Sequence, residues 1–179
     1  LDWLEDFIAL AASEGLKVIL GTPSEATPVW MRERYPQIVS MNAQGIRTGR
    51  RGWHCHNSPD FRRLSAAITE KMAVRFGHNE AVIGWQSDNE LRAVECYCDK
   101  CHRAFRQWLK AKYGTLENLN ASWGTKFWSQ VFNAWEEIRL PTSDQITVST
   151  SQVVDYKRFF SHSTVSFHDM QGVIIRKAS

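Results

Sequence analysis

The sequence has no run approaching the roughly 18 apolar residues that a membrane-crossing helix requires, so no bilayer span is expected. It also lacks low-complexity tracts and any excess of one charge. Its 22 Lys and Arg stand against 19 Asp and Glu, a formal net charge of +3, and the two signs are interspersed. With no basic stripe, nothing points to a nucleic-acid partner. There is no initiating Met: Leu1 already sits inside a helical pattern, so the sequence reads as a fragment whose leader, if one exists, is out of view. What remains is ordinary globular material, 179 residues with 43% hydrophobic content, enough to bury a core.

The apolar residues alternate between two kinds of pattern. Trp3, Leu4, Phe7, Ile8 and Ala11 recur at helical spacing until Gly15, and Val18, Ile19 and Leu20 follow as a short buried-strand run. The stretch "GTPSEATPVW", with two prolines and a glycine, must then be a loop, and residues 30–35 can form a short helix. Residues 36–57 carry no sustained period. Ser58 is placed to cap a helix with Pro59 at its first position and Phe61, Leu64, Ser65, Ile68 and Met72 on one face. A second strand is expected over 81–86. Helix, strand, helix, strand with non-alternating apolar strands is the pattern of parallel α/β units. Beyond it, Phe105, Trp108 and Leu109 line a helix closed by Gly114, and Leu116, Leu119 and Trp123 line a shorter one ended by Gly124. A last amphipathic helix begins near Ser151, with Val153, Tyr156, Phe160, Phe167 and Ile174 inward, either against its own strands or along a coiled-coil partner.

The second strand ends abnormally. In "VIGWQSDNE" the apolar run gives way to Asp88, Asn89 and Glu90. Loops at the carboxyl ends of parallel strands build the sites of α/β folds, so this cluster is the first candidate for catalysis or binding. Capping or solvating a turn is the plain alternative.

Four cysteines are present: Cys55, and then Cys96, Cys98 and Cys101 in "CYCDKC". Four thiolates suit tetrahedral Zn²⁺ in a closed, structural site. Two disulfides are the competing reading, made awkward by the closeness of Cys96 to Cys98. His54, His56 and His102 adjoin the cysteines as substitute ligands or as surface or supporting groups.

Taken together, "VILGTP", "YPQIV", "WHCHNSP", "VIGWQSDNE", "CYCDKCHRAFRQWL", "YGTLENLNASWGTKFWSQ" and "WEEI" resemble, in order and spacing, the family 42 glycoside hydrolases, the microbial β-galactosidases. The resemblance implies a retaining enzyme that releases terminal β-D-galactose on a (β/α)8 TIM barrel. Residues 1–179 would supply about strands 3 and 4 with their helices, a partial catalytic domain with no complete second domain. It places the general acid/base on Glu90, sugar contacts on Asn89 and Arg51, a stacking aromatic on Trp128, and structural zinc on Cys55, Cys96, Cys98 and Cys101. The segment between Glu90 and Cys96 is a few residues shorter than in the family, and Ser87 replaces a hydrophobic residue. The resemblance also implies a cytoplasmic protein, a homotrimer when complete, and a nucleophilic Glu on a seventh strand outside this chain. Residues 1–179 alone are therefore expected to be inactive and poorly soluble.

The chemistry asks for two carboxyl groups about 5–5.5 Å apart, one attacking the anomeric carbon and the other exchanging protons with leaving group and water. Glu90 would be the proton donor, kept protonated by partial burial, by aromatic neighbours such as Trp85 and Trp128, and by the second carboxylate. Glu117, Glu136 and Glu137 read as solvated or capping groups. Two rivals stand beside this: a zinc-stapled module that binds carbohydrate or protein through Trp30, Trp53 and Trp128 without chemistry, and a barrel glycosidase for a related sugar such as α-L-arabinopyranoside.

Overall fold

The computed structural model describes residues 1–142 and 149–179. The elements with the expected periods form: helix α1 (Asp2–Ser13), strand β1 (Val18–Gly21), the short helix α2 (Val29–Arg34), α3 (Pro59–Phe76), β2 (Val82–Gln86), α4 (Asp99–Tyr113), α5 (Leu116–Trp123) and α6 (Thr150–Ala178). β1 and β2 are parallel neighbours, with Val18 opposite Val82, Leu20 opposite Trp85 and Gly21 opposite Gln86. The connection between them runs through α3, the β-α-β arrangement expected from the pattern. No helix among the described residues is long and apolar enough to cross a membrane.

The punctuation follows local chemistry. Gly114 and Gly124 close α4 and α5 at φ of 73° and 66°, a region that costs a side-chain-bearing residue far more. Thr115 and Ser149 cap α5 and α6 by accepting the N–H groups of Asn118 and Gln152. Ser58 holds the N-cap position of α3 but makes no capping bond. Its hydroxyl is buried without a partner among the described residues, and Pro59, which has no N–H to satisfy, starts the helix instead.

Three apolar clusters hold the elements together. Ile8, Leu20, Met72, Phe76 and Ala81 join α1, β1, α3 and the start of β2. Phe61 and Phe167 pin α3 to α6 beside Met31, Ile38 and Val39. Phe105, Leu109, Leu119, Trp123, Tyr156, Phe159 and Phe160 join α4, α5 and α6 around the four cysteines. The buried face of α6 is thus covered from within the chain, which favours the helix-on-its-own-fold account over a coiled coil. Asp155 on that face is a buried carboxylate that ties three helices together. It accepts from Tyr113 Oη at 2.6 Å, from Trp123 Nε1 at 3.0 Å and from Lys112. The lysine's charge and these hydrogen bonds outweigh desolvation, so the carboxyl ionises more readily than usual.

Some expected burial is corrected. Trp3 and Phe7 of α1 are 71% and 57% exposed, because the face that α1 turns to the fold carries Ile8 and Ala11. In the strands Leu20 is buried, whereas Ile19 and Ile83 are 65% and 64% exposed. Side chains alternate along a strand, and helices cover one face of this pair among the described residues. On α6 the buried residue near the C-terminus is Ile175, with Ile174 half-buried beside it.

Candidate active site and thiol cluster

The polar residues after β1 and β2 meet where the two strands end. Thr22 N–H adds one more rung to the ladder by donating to Gln86 O at 3.0 Å. Just beyond, Asp88 N–H donates to Thr22 Oγ1 at 2.6 Å, Asn89 N–H donates to Asp88 Oδ1 at 2.8 Å, and Gln86 Nε2 donates to Asn89 Oδ1 at 3.1 Å. Asp88 and Glu90 both hold positive φ, 62° and 49°. Non-glycine residues seldom adopt this conformation, aspartate less rarely than glutamate, and residues held in it cluster at functional sites. The turn sends Asp88 inward, where it is buried, and Glu90 outward, where it is exposed.

Charge converges on the same end. The Glu25 carboxylate, from the loop after β1, faces Arg51 Nε at 3.8 Å and Arg92 at 3.6 Å. Arg92 also donates to Arg51 O at 3.1 Å, and Gly52 N–H donates to Glu25 O at 3.1 Å. A Cβ on Gly52 would lie 2.4 Å from both Glu25 Oε1 and an Arg92 nitrogen, so a side chain here would push these two charged ends aside at a φ of 72° that already favours glycine. Desolvation, helped by the Glu25 charge, pushes the Asp88 carboxyl up to about 6, although the Asn89 N–H, the Ser24 hydroxyl and Arg51 pull the other way.

Of the residues picked from sequence, Asn89, Glu90 and Arg51 therefore belong to the strand-end region. Glu90 lacks the burial expected of it. Trp128 lies in a single 3-10 turn, Phe127–Ser129, at φ 53°, with its ring stacked on Phe127 at 5.0 Å and 69% of its surface exposed. It borders a cavity of about 470 Å³ with Trp123, Thr125, Phe132 and Gln152. Asn89, Glu90 and Arg51 are not among that cavity's lining residues. Asp88, part of the polar cluster singled out after β2, turns out to be its buried member, whereas Glu25 and Arg92 were missed as site residues. The rule that singled out "SDNE" would have found Glu25, since "GTPSE" also leaves the carboxyl end of a strand.

The four cysteines converge as expected. All are buried, their sulfurs lie within 4.8 Å of one another, and Cys55 Sγ is 3.4 Å from Cys101 and 3.8 Å from Cys98. A disulfide needs about 2.05 Å and all four thiols are free, so the two-disulfide reading is set aside. Tetrahedral coordination at about 2.3 Å would put sulfurs about 3.8 Å apart, which this spacing fits. Met41 N–H and Asn57 Nδ2 donate to the sulfurs of Cys96 and Cys101 at 3.4 and 3.5 Å, the kind of support a bound thiolate receives. Hydrogen bonds among the crowded sulfurs pull the Cys98 thiol below its usual range and push the Cys101 thiol above it. The cluster can hold a metal ion.

The histidines stand outside the group of converging sulfurs. His54 and His56 are buried rather than surface groups, stacked on Phe61 and Phe167 at 4.8 and 4.9 Å and bonded to Thr27 and Thr164. Burial pulls each down to about 4, so both are neutral imidazoles near pH 7. His102 Nδ1 accepts from Leu140 N–H at 3.3 Å.

The model of a glycoside hydrolase family described as beta-galactosidase matches residues 1–179. The chain belongs to the family 42 glycoside hydrolases. Beta-galactosidase BgaA of Clostridium cellulovorans is 43% identical over 98% of this chain, and a Thermus thermophilus beta-galactosidase is 43% identical over 97%. The crystal structure of beta-galactosidase from Bacillus circulans sp. alkalophilus superposes on 99% of the chain with a TM-score of 0.93 at 33% identity. That of the Rahnella sp. R3 enzyme gives 0.95 at 32%. This family 42 chain spans 27% and 28% of the two curated relatives, and 27% and 26% of the two crystallised chains, about a quarter of their length.

Proposed function

We propose that the protein to which this chain belongs is a retaining β-galactosidase, with Glu90 as its general acid/base. One observation carries the reading. Asn89 and Glu90 leave the carboxyl end of a parallel strand on a strained turn held by the Asp88 and Asn89 N–H groups, in a chain matched along its whole length by the beta-galactosidase family. Residues 1–179 are then the part of a (β/α)8 barrel around its third and fourth strands. Ile19 and Ile83, open on the uncovered strand face, would belong to the packed barrel interior.

In this reading Glu90 protonates the glycosidic oxygen as the bond to the anomeric carbon breaks, and later takes a proton from the water that releases galactose. Asn89 hydrogen-bonds a ring hydroxyl, a contact that strengthens as positive charge develops on the sugar. Arg51, oriented by Glu25, donates to another hydroxyl. Trp128 offers an exposed face for the apolar side of a sugar. Glu25 is engaged by two guanidinium groups, so the nucleophilic carboxylate is assigned to another strand end of the complete barrel.

The thiol cluster is read as a structural Zn²⁺ site on its all-sulfur donor set and spacing. A bound ion would fix the loop carrying Arg51 to the start of α4. Free buried thiols fit a reducing, cytoplasmic setting, and a homotrimer is the assembly proposed for the complete protein.

The test uses the full-length protein with two β-galactosides, one with an alkyl and one with a nitrophenyl leaving group. Glu90→Gln should slow the alkyl substrate far more, because a good leaving group needs little protonation. Equal slowing of both, or a wild-type protein inert toward β-galactosides, would remove the assignment.

A further inference from the structure

Along its buried face α6 places a glutamine among large apolar residues. Phe160, Phe167 and Ile175 are buried there, and Gln171 between the last two is 0% exposed. Its Oε1 accepts a hydrogen bond from Thr22 Oγ1 at 2.6 Å, with the Ser24 and Thr69 hydroxyls farther off at 3.4 Å. Its Nε2 is buried with no hydrogen-bond partner among the described residues. Reversing the amide would only exchange which atom is orphaned. A methionine or leucine would fill this space without the orphaned amide nitrogen, and the one thing it could not do is accept from the buried Thr22 hydroxyl. Breaches of this kind in an otherwise consistent core mark positions kept for another purpose.

What Gln171 does is set the direction of one hydroxyl. A threonine hydroxyl has one proton and two lone pairs. With the proton of Thr22 given to Gln171 Oε1, a lone pair is left for Asp88 N–H, which donates to it at 2.6 Å. That bond closes on the first strained residue of the turn, and the Asp88 carboxylate in turn accepts from Asn89 N–H. The positive φ of Asp88 and Glu90 has to be held by such bonds, because neither residue prefers it.

The geometry points to Gln171 as a positioning residue that acts through Thr22 to hold the Asp88–Glu90 turn, and with it the aim of Asn89 and Glu90 at the substrate. This rests on the β-galactosidase reading for its catalytic consequence, but not for the coupling of α6 to the turn.

The experiment compares Gln171→Met, Thr22→Val, their double variant and Thr22→Ser in the full-length protein. Two readouts are taken: kcat and KM on an alkyl and a nitrophenyl β-galactoside, and hydrogen exchange of the amides at 88–90. Gln171→Met and Thr22→Val should each lower kcat on the alkyl substrate about tenfold with KM within about twofold, since small misalignments cost catalysis steeply. Loss on the nitrophenyl substrate should be smaller. The double variant should be no worse than the worse single one, as expected for two links of one chain. Thr22→Ser, which keeps the hydroxyl, should restore activity. Amide exchange at 88–90 should quicken at least tenfold while the segments around Phe105 and Phe160 stay protected. Thr69→Val, which removes a distant hydroxyl at the same glutamine, should lower Tm and spare kcat. Unchanged exchange at 88–90, or additive losses in the double variant, would overturn the proposal, as would a fall in Tm alone. If exchange responds as stated and the wild-type protein cleaves no β-galactoside, the coupling stands and the β-galactosidase reading falls.

Discussion

The thiol cluster and the strand-end turn are joined by five residues, Arg51 to Cys55, yet they are built in opposite ways. The cluster is assembled mostly from one short segment, "CYCDKC", is buried throughout, and draws its order from four equivalent groups converging on one point. The turn is assembled from β1, β2, the 50–53 loop and α6, mixes buried with exposed groups, and holds two residues in strained backbone. A converging set of like donors can be locked by a single ion. A site that must keep one carboxyl group accessible needs a graded shell of hydrogen bonds behind it. The two regions should accordingly separate under mutation, the turn governing chemistry and the cluster governing stability.

The largest effect expected is on the turn. Glu90→Gln in the full-length protein should cut kcat on an alkyl β-galactoside by about 10²–10⁴, the usual range for a general acid, while Tm and metal content stay within error. A matching fall in Tm would erase the distinction between the two regions.

Next comes the cluster. The four thiols predict about one zinc per chain by metal analysis, and chelation or Cys55→Ser should lower stability by about 3 kcal/mol or more, seen as a lower Tm. Activity should decline only as the loop bearing Arg51 loosens. Protein purified under reducing conditions that contains no metal and keeps its Tm in chelator would break the comparison from this side.

A third experiment sharpens it by pH. The Asp88 carboxyl is raised to about 6 from an unfolded value near 3.8. The folded state therefore holds the proton longer, and stability is lost as pH rises from about 4 through about 6. Asp88→Asn keeps the acceptor for Asn89 N–H and removes the charge. It should add up to about 3 kcal/mol at pH 7 and only about 0.5 kcal/mol at pH 4, measured by denaturant titration at both. A pH-independent change would place the cost of Asp88 outside its ionisation.

The smallest effect falls between the regions. Gly52→Ala puts a Cβ into the Glu25 and Arg92 side chains at a φ of 72°, and should cost about 1 kcal/mol and raise KM more than it lowers kcat. An unchanged KM would detach Arg51 from substrate binding.

The legible part of the fold was that carried by period and punctuation. The stripe of Phe61 and Met72, the glycines at 114 and 124 and the apolar run at 18–20 needed no long-range information, because each depends on residues within one or two turns. Trp3 and Phe7 fit the same helical period and proved exposed, since a period says which residues share a face and not what covers it. "SDNE" was legible as a site because a polar run at a strand end is locally abnormal. Glu25 carried the same signal on β1 and was passed over. Gln171 carried none: a single glutamine in a long amphipathic helix looks like a surface residue.

The order of helices and strands, the family and the set of four thiols are readable from the residues alone, because each is a property of neighbouring residues or of long matched motifs. It took the folded arrangement to make Asp88 the buried carboxyl and Glu90 the exposed one, to set His54 and His56 as neutral rings in a stack outside the thiol cluster, and to join Thr22 and Gln171, 149 residues apart, by a hydrogen bond. The reason is physical. Burial, pKa and the direction of a hydroxyl are set by what approaches from other parts of the chain, and packing chooses those neighbours only when the elements come together.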